Sequence, residues 1–492
     1  MTLLQNIVSE APLAAGSALL TAIVVAYVIY QRYLHPLAKY PGPFLASITD
    51  LWQVHQFLSL QQPYNLTALH ERYGPIVRYG PDKLSITHES AVPTIYQKSA
   101  KSMPKTEFYD AYGAAHPNVF GMRDEVVSLR LRSEIMQLMV LDALGEAASY
   151  VSQLFFELHQ GDGRKALHYY MIDVLGELAF SRSFGVQEAD DESRIPPVIE
   201  HSLLAAVTGA WPTMTMTLKR WLPYMPHAGL RRLFAGRKAC ADLASSSVQR
   251  RLRDLNDGGS SVGVQNRKDI LTNLIKAKHP ETGERLTQTD LETEAFGFIA
   301  TSTLLFYHLL HNPDFMRKCT EEIDSNLPSL GPSETAYSIT AAEASLPFLR
   351  NCIRENFRIT PVFTMPLARR ITDPAGTSVA VCNHAFHHNP VVWGEDHNIF
   401  NPNRWNDPNV GAKARLLMHF GLGGRQCIGK AVATTNIYKL PSTLLKEFTF
   451  ELADEQERVD VDKGLYKGRI PKLFSVGISD LQGPLLVRAR VR

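Results

Sequence analysis

Residues Phe420 to Gly429 read FGLGGRQCIG, four glycines and an arginine around one cysteine. Such a stretch restricts the fold, because glycine is used where a backbone turns tightly or approaches another group closely. A dinucleotide-binding loop needs G-x-G-x-x-G. Gly421 and Gly423 fit, but Gln426 stands at the third glycine position, so that reading fails. After Cys427 the pattern CIGKAVATTNIYKLPSTLL turns helical. A thiol at a helix N-terminus is held as thiolate by backbone N–H groups and the helix dipole. Gly423 and Gly429 leave room for a large flat group, and Arg425 can neutralise an anion beside it. Thiolate, glycine loop, cation and open apolar face suit haem iron bound through cysteine. The competing reading is a cysteine packed as a small buried hydrophobe.

The other cysteines, Cys240, Cys319, Cys352 and Cys382, lie far apart and suggest neither a disulfide frame nor a zinc knuckle. The body therefore reads as a protein of a reducing compartment. A net charge of +2 over 492 residues makes no global case for nucleic acid. The N-terminus differs. Ala11 to Gln31 carries no charge and is long enough to cross a bilayer as a helix. No basic residue precedes it and no small-x-small site follows, so an uncleaved anchor is expected rather than a signal peptide. Arg32 and Lys39 follow the run, which places the body in the cytosol by the positive-inside rule. Pro36, Pro41 and Pro43 then forbid a continuing helix. The expected division is an anchor over residues 1–35 and one catalytic domain over 36–492.

Helical periodicity dominates the body, as in His168 to Gly185, in the run from Thr287 to His311 with its capping-box spacing, and in SLPFLRNCIRENFRI. Strand-like pieces are few: KLSIT near Leu84, TSVAVC near Val379 and LLVRARV near the end. The fold class is mainly α with small β-sheets. Arg253 to Asp269 is polar and glycine-rich and reads as a loop. Ala205 to Leu230, rich in Met, Trp and Pro, reads either as packed core with turns or as a membrane-facing or substrate-entry flap. Cys382, His384, His387 and His388 cluster, but their spacing matches no standard zinc site.

Phe420, Gly423, Arg425, Cys427 and Gly429 together match F-x-x-G-x-R-x-C-x-G. On that pattern the chain resembles the cytochrome P450 family, most closely membrane-bound fungal enzymes of secondary metabolism. The resemblance implies a cytochrome P450-like fold, haem b with Cys427 as axial thiolate, and a structural network of Glu355, Arg358 and Arg404. It also implies a propionate-binding cation at Arg369, with Arg130 or Arg132 in place of an expected aromatic or His. The implied activity is insertion of one oxygen atom from O2 into a lipophilic small molecule. No flavin or nicotinamide motif occurs, so electrons are expected from an NADPH-dependent cytochrome P450 reductase, with Lys413, Arg415, Lys430 and Lys439 as its docking face. The implied location is the endoplasmic reticulum membrane, with a single N-terminal span in contact with membrane lipid. The implied substrate pocket draws on the 205–230 flap, Phe298–Thr303, Pro361–Met365 and Lys472–Gly477.

Two departures from the family pattern stand out. FGFIATSTLLFYHLL passes from Ala300 straight to Thr301, without the acid–threonine turn that serves oxygen activation in the family. About eight residues fewer would shorten a helix by about 12 Å and rotate its halves by about 80°. Thr301 and Thr303 are the nearest hydroxyls. The second departure follows Arg370, where the chain reaches Thr377 without the family's extra strand-turn-strand. Pro441, inside the helix after the cysteine loop, is a further oddity. These features leave two alternatives open: a haem-binding pseudoenzyme, or a haem-thiolate isomerase or dehydratase that needs no O2.

The anchor reading has a direct check. Alkaline carbonate should leave the chain in the membrane pellet, and protease added outside microsomes should digest the body. A protected body would reverse the orientation.

Overall fold

The computed structural model describes residues 2–97, 103–113, 118 and 120–124, most of 160–256, and 303–492 apart from 330, 332–336, 338, 373–375 and 465–469. Helices predominate. Helix α1 (Thr2–Ile29) widens into one π-helical turn at Tyr30–Leu34 and ends at His35, ahead of the prolines. Its stretch Ala15–Leu34 is apolar and long enough to cross a membrane. Short helices α2 (Phe44–Ile48) and α3 (Leu51–Leu58) follow, then α4 (Gln62–Tyr73) and α5 (Ala91–Tyr96).

The middle of the chain contributes α6 (Val198–Ala210), α7 (Pro212–Leu218) and the long α8 (Ala228–Asn256). The expected loop from Arg253 to Asp269 is corrected at its start, where Arg253 to Asn256 are helical. Its first residues continue α8, and the remainder lies outside the described residues. The stretch Ala205 to Leu230 contains both buried and exposed residues. Leu204 to Ala206 and Ala210 on α6 are buried core, whereas Trp221, Tyr224 and Met225 are exposed.

Helices α9 (Thr303–Leu310), α10 (Pro313–Asn326), α11 (Pro347–Ile359) and α13 (Lys430–Glu447) form the main core; α12 (Asn383–His387) lies between α11 and α13 in sequence. Pro313 starts α10, as its fixed φ favours at a first helical position. Leu305, Phe306, Cys319, Ile323, Cys352, Ile353, Tyr438 and Leu444 pack together in one buried cluster. Pro441 is accommodated inside α13.

Three small sheets complete the fold. Strands β1 (Ile76–Gly80), β2 (Lys83–Ile86), β4 (Arg369–Arg370) and β5 (Ser378–Ala380) form one sheet in the order β1-β2-β5-β4. β5 runs parallel to β2 and antiparallel to β4. The short passage after Arg370 therefore closes as a direct hairpin, with Ile371 N–H donating to Thr377 O at 2.8 Å. β3 (Gln160–Asp162), β9 (Leu486–Val491) and β6 (Phe448–Leu452) form an antiparallel sheet, and β7 (Leu473–Ser475) pairs with β8 (Ser479–Leu481). Each strand-like run singled out in the sequence lies in one of these strands.

Buried histidines are a feature of this core. His308 stacks on Phe400 with ring centroids 4.4 Å apart and sits 3.2 Å from Thr360 Oγ1. Burial pushes His308 down to about 3 and His384 down to about 4. Burial also lowers His387 and His388 well below the ordinary value, with neighbouring cations and imidazoles adding to the effect. These groups are neutral in the folded state, and an unfolded histidine titrates near 6.5. The unfolded chain therefore takes up protons first as pH falls. The stabilisation is complete above about pH 6.5 and is lost progressively below it, at up to about 1.4 kcal/mol per pH unit for each group. Urea unfolding should show stability declining from pH 6.5 toward 4. His308→Phe, which can keep the stack on Phe400, should make that decline shallower.

Candidate functional site

Helix α11 buries two of its charged residues, Glu355 and Arg358, while Arg350 and Arg354 stay half-exposed. Glu355 and Arg358, three apart, share a face of the helix. The Glu355 carboxylate is fully buried and accepts from Arg358 Nε at 3.0 Å and Nη2 at 2.7 Å. Arg404 Nε donates to the same carboxylate at 2.9 Å. The structure thus brings together the three residues of the expected network. It adds two that the sequence did not suggest: Trp405 Nε1 donates to Glu355 at 3.1 Å and the Asn401 N–H at 3.1 Å.

The spare donors reach outward. Arg358 Nη1 donates to the carbonyls of His387 and His397, at 2.8 and 2.7 Å. Arg404 donates to Trp393 O at 3.0 Å and pairs with Asp396 at 2.8 Å. Asp396 is held below the usual carboxylate range: burial opposes this, but Asn401 and the Arg404 guanidinium outweigh it. Buried charges are tolerable only when fully paired and hydrogen-bonded.

The network leads directly to the cysteine loop. Asn383 Nδ2 donates to Met418 O at 3.2 Å, and Met418 N–H donates to His387 Nε2 at 3.3 Å. Phe357, one helical position before Arg358, stacks on His419 at 3.9 Å and meets Phe420 edge-on at 5.4 Å. Beyond Phe420 the chain turns back on itself. Gly421 and Gly423 both take positive φ, 66° and 65°, which favours glycine. Cys427 N–H closes the loop by donating to Phe420 O at 2.6 Å. A Cβ on Gly423 would lie 2.2 Å from the Tyr96 carbonyl oxygen, so the loop is pressed onto the end of α5. Cys427 is exposed, whereas Cys240, Cys319, Cys352 and Cys382 are buried. It stands just ahead of α13, with Gly429 opening the backbone next to its sulfur.

Two cations flank this region. Arg369 on β4 is buried, donates to Tyr109 Oη at 2.7 Å and lies over the Tyr96 ring at 5.3 Å. Burial raises the Tyr109 phenol, with Arg369 opposing. Arg425 donates to Met122 O at 3.0 Å and to Arg123 O at 3.3 Å. An exposed thiol on a glycine turn ahead of a helix, with one buried and one half-buried cation nearby, suits the iron and the carboxylates of haem. Phe363, Met365 and Tyr112 pack together with Phe120 in one cluster. Tyr112 Oη is 2.9 Å from Met365 Sδ, and Phe120 meets Tyr112 and Phe363 at 5.1 and 6.2 Å.

Other expected positions fall elsewhere. Arg130, Arg132 and Thr301, with the junction at Ala300, lie outside the described residues. Thr303 opens α9, and its side chain lies outside them too. Arg415 and Lys430 are exposed, while Lys413 and Lys439 are half-buried and Lys413 Nζ donates to Val392 O at 2.5 Å. Cys382, His384, His387 and His388 are buried; His384 bonds to Thr67, His388 to Asn398 and Ile359, and His387 accepts from Met418 N–H. Among the described residues no group of three such side chains is arranged to hold a metal ion.

Comparison with known proteins agrees with this geometry. The family model described as Cytochrome P450 matches residues 41–476. Cytochrome P450 monooxygenase cicH of Emericella nidulans is 28% identical over 475 residues, covering 89% of this chain and 93% of that protein. Pisatin demethylase of Fusarium vanettenii is 27% identical over 494 residues, covering 91% and 92%. Benzoate 4-monooxygenase bphA of Aspergillus niger is 25% identical over 498 residues, covering 89% and 93%.

The buried carboxylate generates a stability test. Glu355→Ala should leave two guanidinium groups buried without their acceptor and cost about 3–5 kcal/mol. Thermal unfolding should register the loss. Trp405→Phe, which removes one donor and keeps the ring, should cost about 1 kcal/mol.

Proposed function

The chain belongs to the cytochrome P450 family, and on that premise we propose that it is a membrane-anchored haem-thiolate monooxygenase that oxidises a lipophilic small molecule in fungal secondary metabolism. The observation that carries the proposal is Cys427, exposed on its glycine turn with Gly423 pressed against Tyr96. When bound, haem would supply an iron centre for the reductive cleavage of O2, which a cysteine thiolate ligand favours. The chain supplies everything around it. Cys427 offers the sulfur, and the N–H to Phe420 O bond holds the backbone that carries it. Arg369 and Arg425 offer positive charge for the propionates. Phe420 and Gly429 shape the face on which the ring would lie. Glu355, Arg358 and Arg404 act through structure, holding the loop's supports rather than touching the reacting atoms.

Phe363, Met365, Tyr112 and Phe120 give the substrate side an aromatic and thioether wall, which suits an apolar or aromatic ligand and excludes water. Relatives named for pisatin and benzoate support a small organic substrate. Electrons come from an NADPH-dependent reductase, for which the exposed Arg415 and Lys430 near the cysteine loop offer positive charge. The body lies on the cytosolic side of the endoplasmic reticulum membrane, carried by α1.

One sequence observation favours a second reading. With Ala300 followed directly by Thr301, the chain has no acid–threonine pair at this junction, and a placed general acid is typically worth about 10²–10⁴-fold. A haem-binding protein that turns over poorly, or an isomerase or dehydratase without need of O2, would result.

Two measurements separate these readings. The reduced, CO-treated protein should show the strongly red-shifted Soret band of thiolate ligation. Cys427→Ala should abolish it and Cys382→Ala should keep it; a band that survives in Cys427→Ala removes the assignment. Peroxide and product per NADPH consumed should then be compared with a form carrying a restored small-Gly-x-Asp-Thr segment at Ala300. The restored form should make more product and less peroxide. Efficient coupling in the natural chain would mean that another group delivers the protons.

A further inference from the structure

We infer that Arg78 locks the membrane anchor to the catalytic body, so that the bilayer fixes the body's pose and seats the Trp221–Met225 turn at the lipid surface; this rests on α1 being the anchor. Arg78 lies on β1, is only 1% exposed and is among the largest fully buried side chains. Its guanidinium gathers segments distant in sequence. Nη1 donates to Gln31 O at 2.8 Å and Nη2 to Gln31 Oε1 at 2.7 Å. Nη2 also donates to Pro81 O at 2.6 Å and Ser47 O at 3.3 Å, and Nε to Gly80 O at 3.3 Å. Among the described residues no carboxylate pairs with it, so carbonyl dipoles carry its charge. A guanidinium presents its donors in a rigid fork, and each acceptor is therefore held in a set direction.

The backbone reinforces this contact. Arg78 N–H donates to Pro41 O at 2.7 Å, and a Cβ on Gly42 would fall 2.0 Å from Arg78 O. Tyr27 Oη donates to Ile48 O at 3.0 Å, which lays the last turns of the span along α2. Leu37 is buried in the body a few residues after the helix ends. The anchor thus enters the body without a loose linker.

A fixed pose decides which surface meets lipid. Phe44, Leu45, Leu51 and Leu58 on α2 and α3 are exposed, as are Trp221 at 68% and Tyr224 at 83%. Lys83, on the strand paired with β1, joins these surfaces: its Nζ donates to Asp50 Oδ1 at 2.7 Å, Gln53 Oε1 at 2.8 Å and Ala210 O at 2.7 Å. Ala210 ends α6, and α7 and the Trp221 turn follow it. One hairpin therefore grips the anchor through Arg78 and the base of the flap through Lys83. Continuity with the anchor makes lipid the occupant of this surface. Amphipathic Trp and Tyr suit the interface between headgroups and acyl chains.

The test uses the full haem-loaded chain in phosphatidylcholine vesicles with and without brominated acyl chains. The Trp221 share of quenching is the difference between each form and its Trp221→Phe counterpart. The natural chain should pellet with vesicles and show Trp221 quenching. Arg78→Met should still pellet, yet lose Trp221 quenching by about twofold or more. If Arg78→Met fails to fold, a five-residue Gly–Ser insertion after Ile29 decides, because such a segment is a flexible coil and leaves the Arg78 contacts intact. That insertion should give the same about twofold loss. Undiminished Trp221 quenching in the variant that folds, or none in the natural chain, overturns the lock. A natural chain that does not pellet overturns the anchor reading and the lock with it.

Discussion

A single buried carboxylate, Glu355, sets the shape of the region behind the cysteine loop. Arg358 and Arg404 meet on it, and their remaining donors satisfy the carbonyls of His387, Trp393, His397 and the Asp396 side chain. The stretch from His387 to Arg404 has little regular secondary structure of its own to pair these carbonyls. Two guanidinium groups do so instead. Ionic groups gain nothing from burial as such, since desolvation roughly cancels attraction. What they provide is direction. Each donor fixes one carbonyl, and the backbone between them follows.

The consequence passes down the chain in short steps. His387, whose carbonyl Arg358 holds, accepts from Met418 N–H, and Asn383 nearby binds the Met418 carbonyl. Phe357 stacks on His419. The cysteine loop therefore starts from a place defined by α11, although it ends on α13. The neutral, buried histidines belong to the same design. They pack like aromatic rings while still offering a nitrogen to a polar partner, as His388 does to the Asn398 side chain and the Ile359 carbonyl.

Much of this was legible in the sequence because it is local. Apolar spacing marked α11, alternation marked β2, β5 and β9, and the glycines around Cys427 marked a turn ahead of a helix. Glu355 and Arg358 could be paired from their spacing alone. Trp405 and Asn401 could not, because their bonds to Glu355 span some fifty residues and carry no periodic signal. Arg78 was invisible for the same reason: an arginine in a strand reads as a solvent-facing residue until the anchor, α2 and the β1–β2 turn close over it. Arg253 to Asn256 were misread as loop because polar residues suit an exposed helix as well as a loop. Pro441 looked like a helix breaker, yet α13 continues through it, because tertiary packing outweighs local propensity.

The contact between Gly423 and Tyr96 joins two parts of the gene that are more than three hundred codons apart. Tyr96 also receives the Val381 N–H on its hydroxyl at 2.9 Å and lies under Arg369. The end of α5, the end of β5 and the cysteine loop are thereby one mould made from three pieces of sequence. A chimera that imported only the FGLGGRQCIG decamer from a relative would bring a foreign loop against this chain's own Tyr96 carbonyl. Recombination between such proteins is expected to succeed when crossovers keep all three pieces from one parent, and to fail when they separate them.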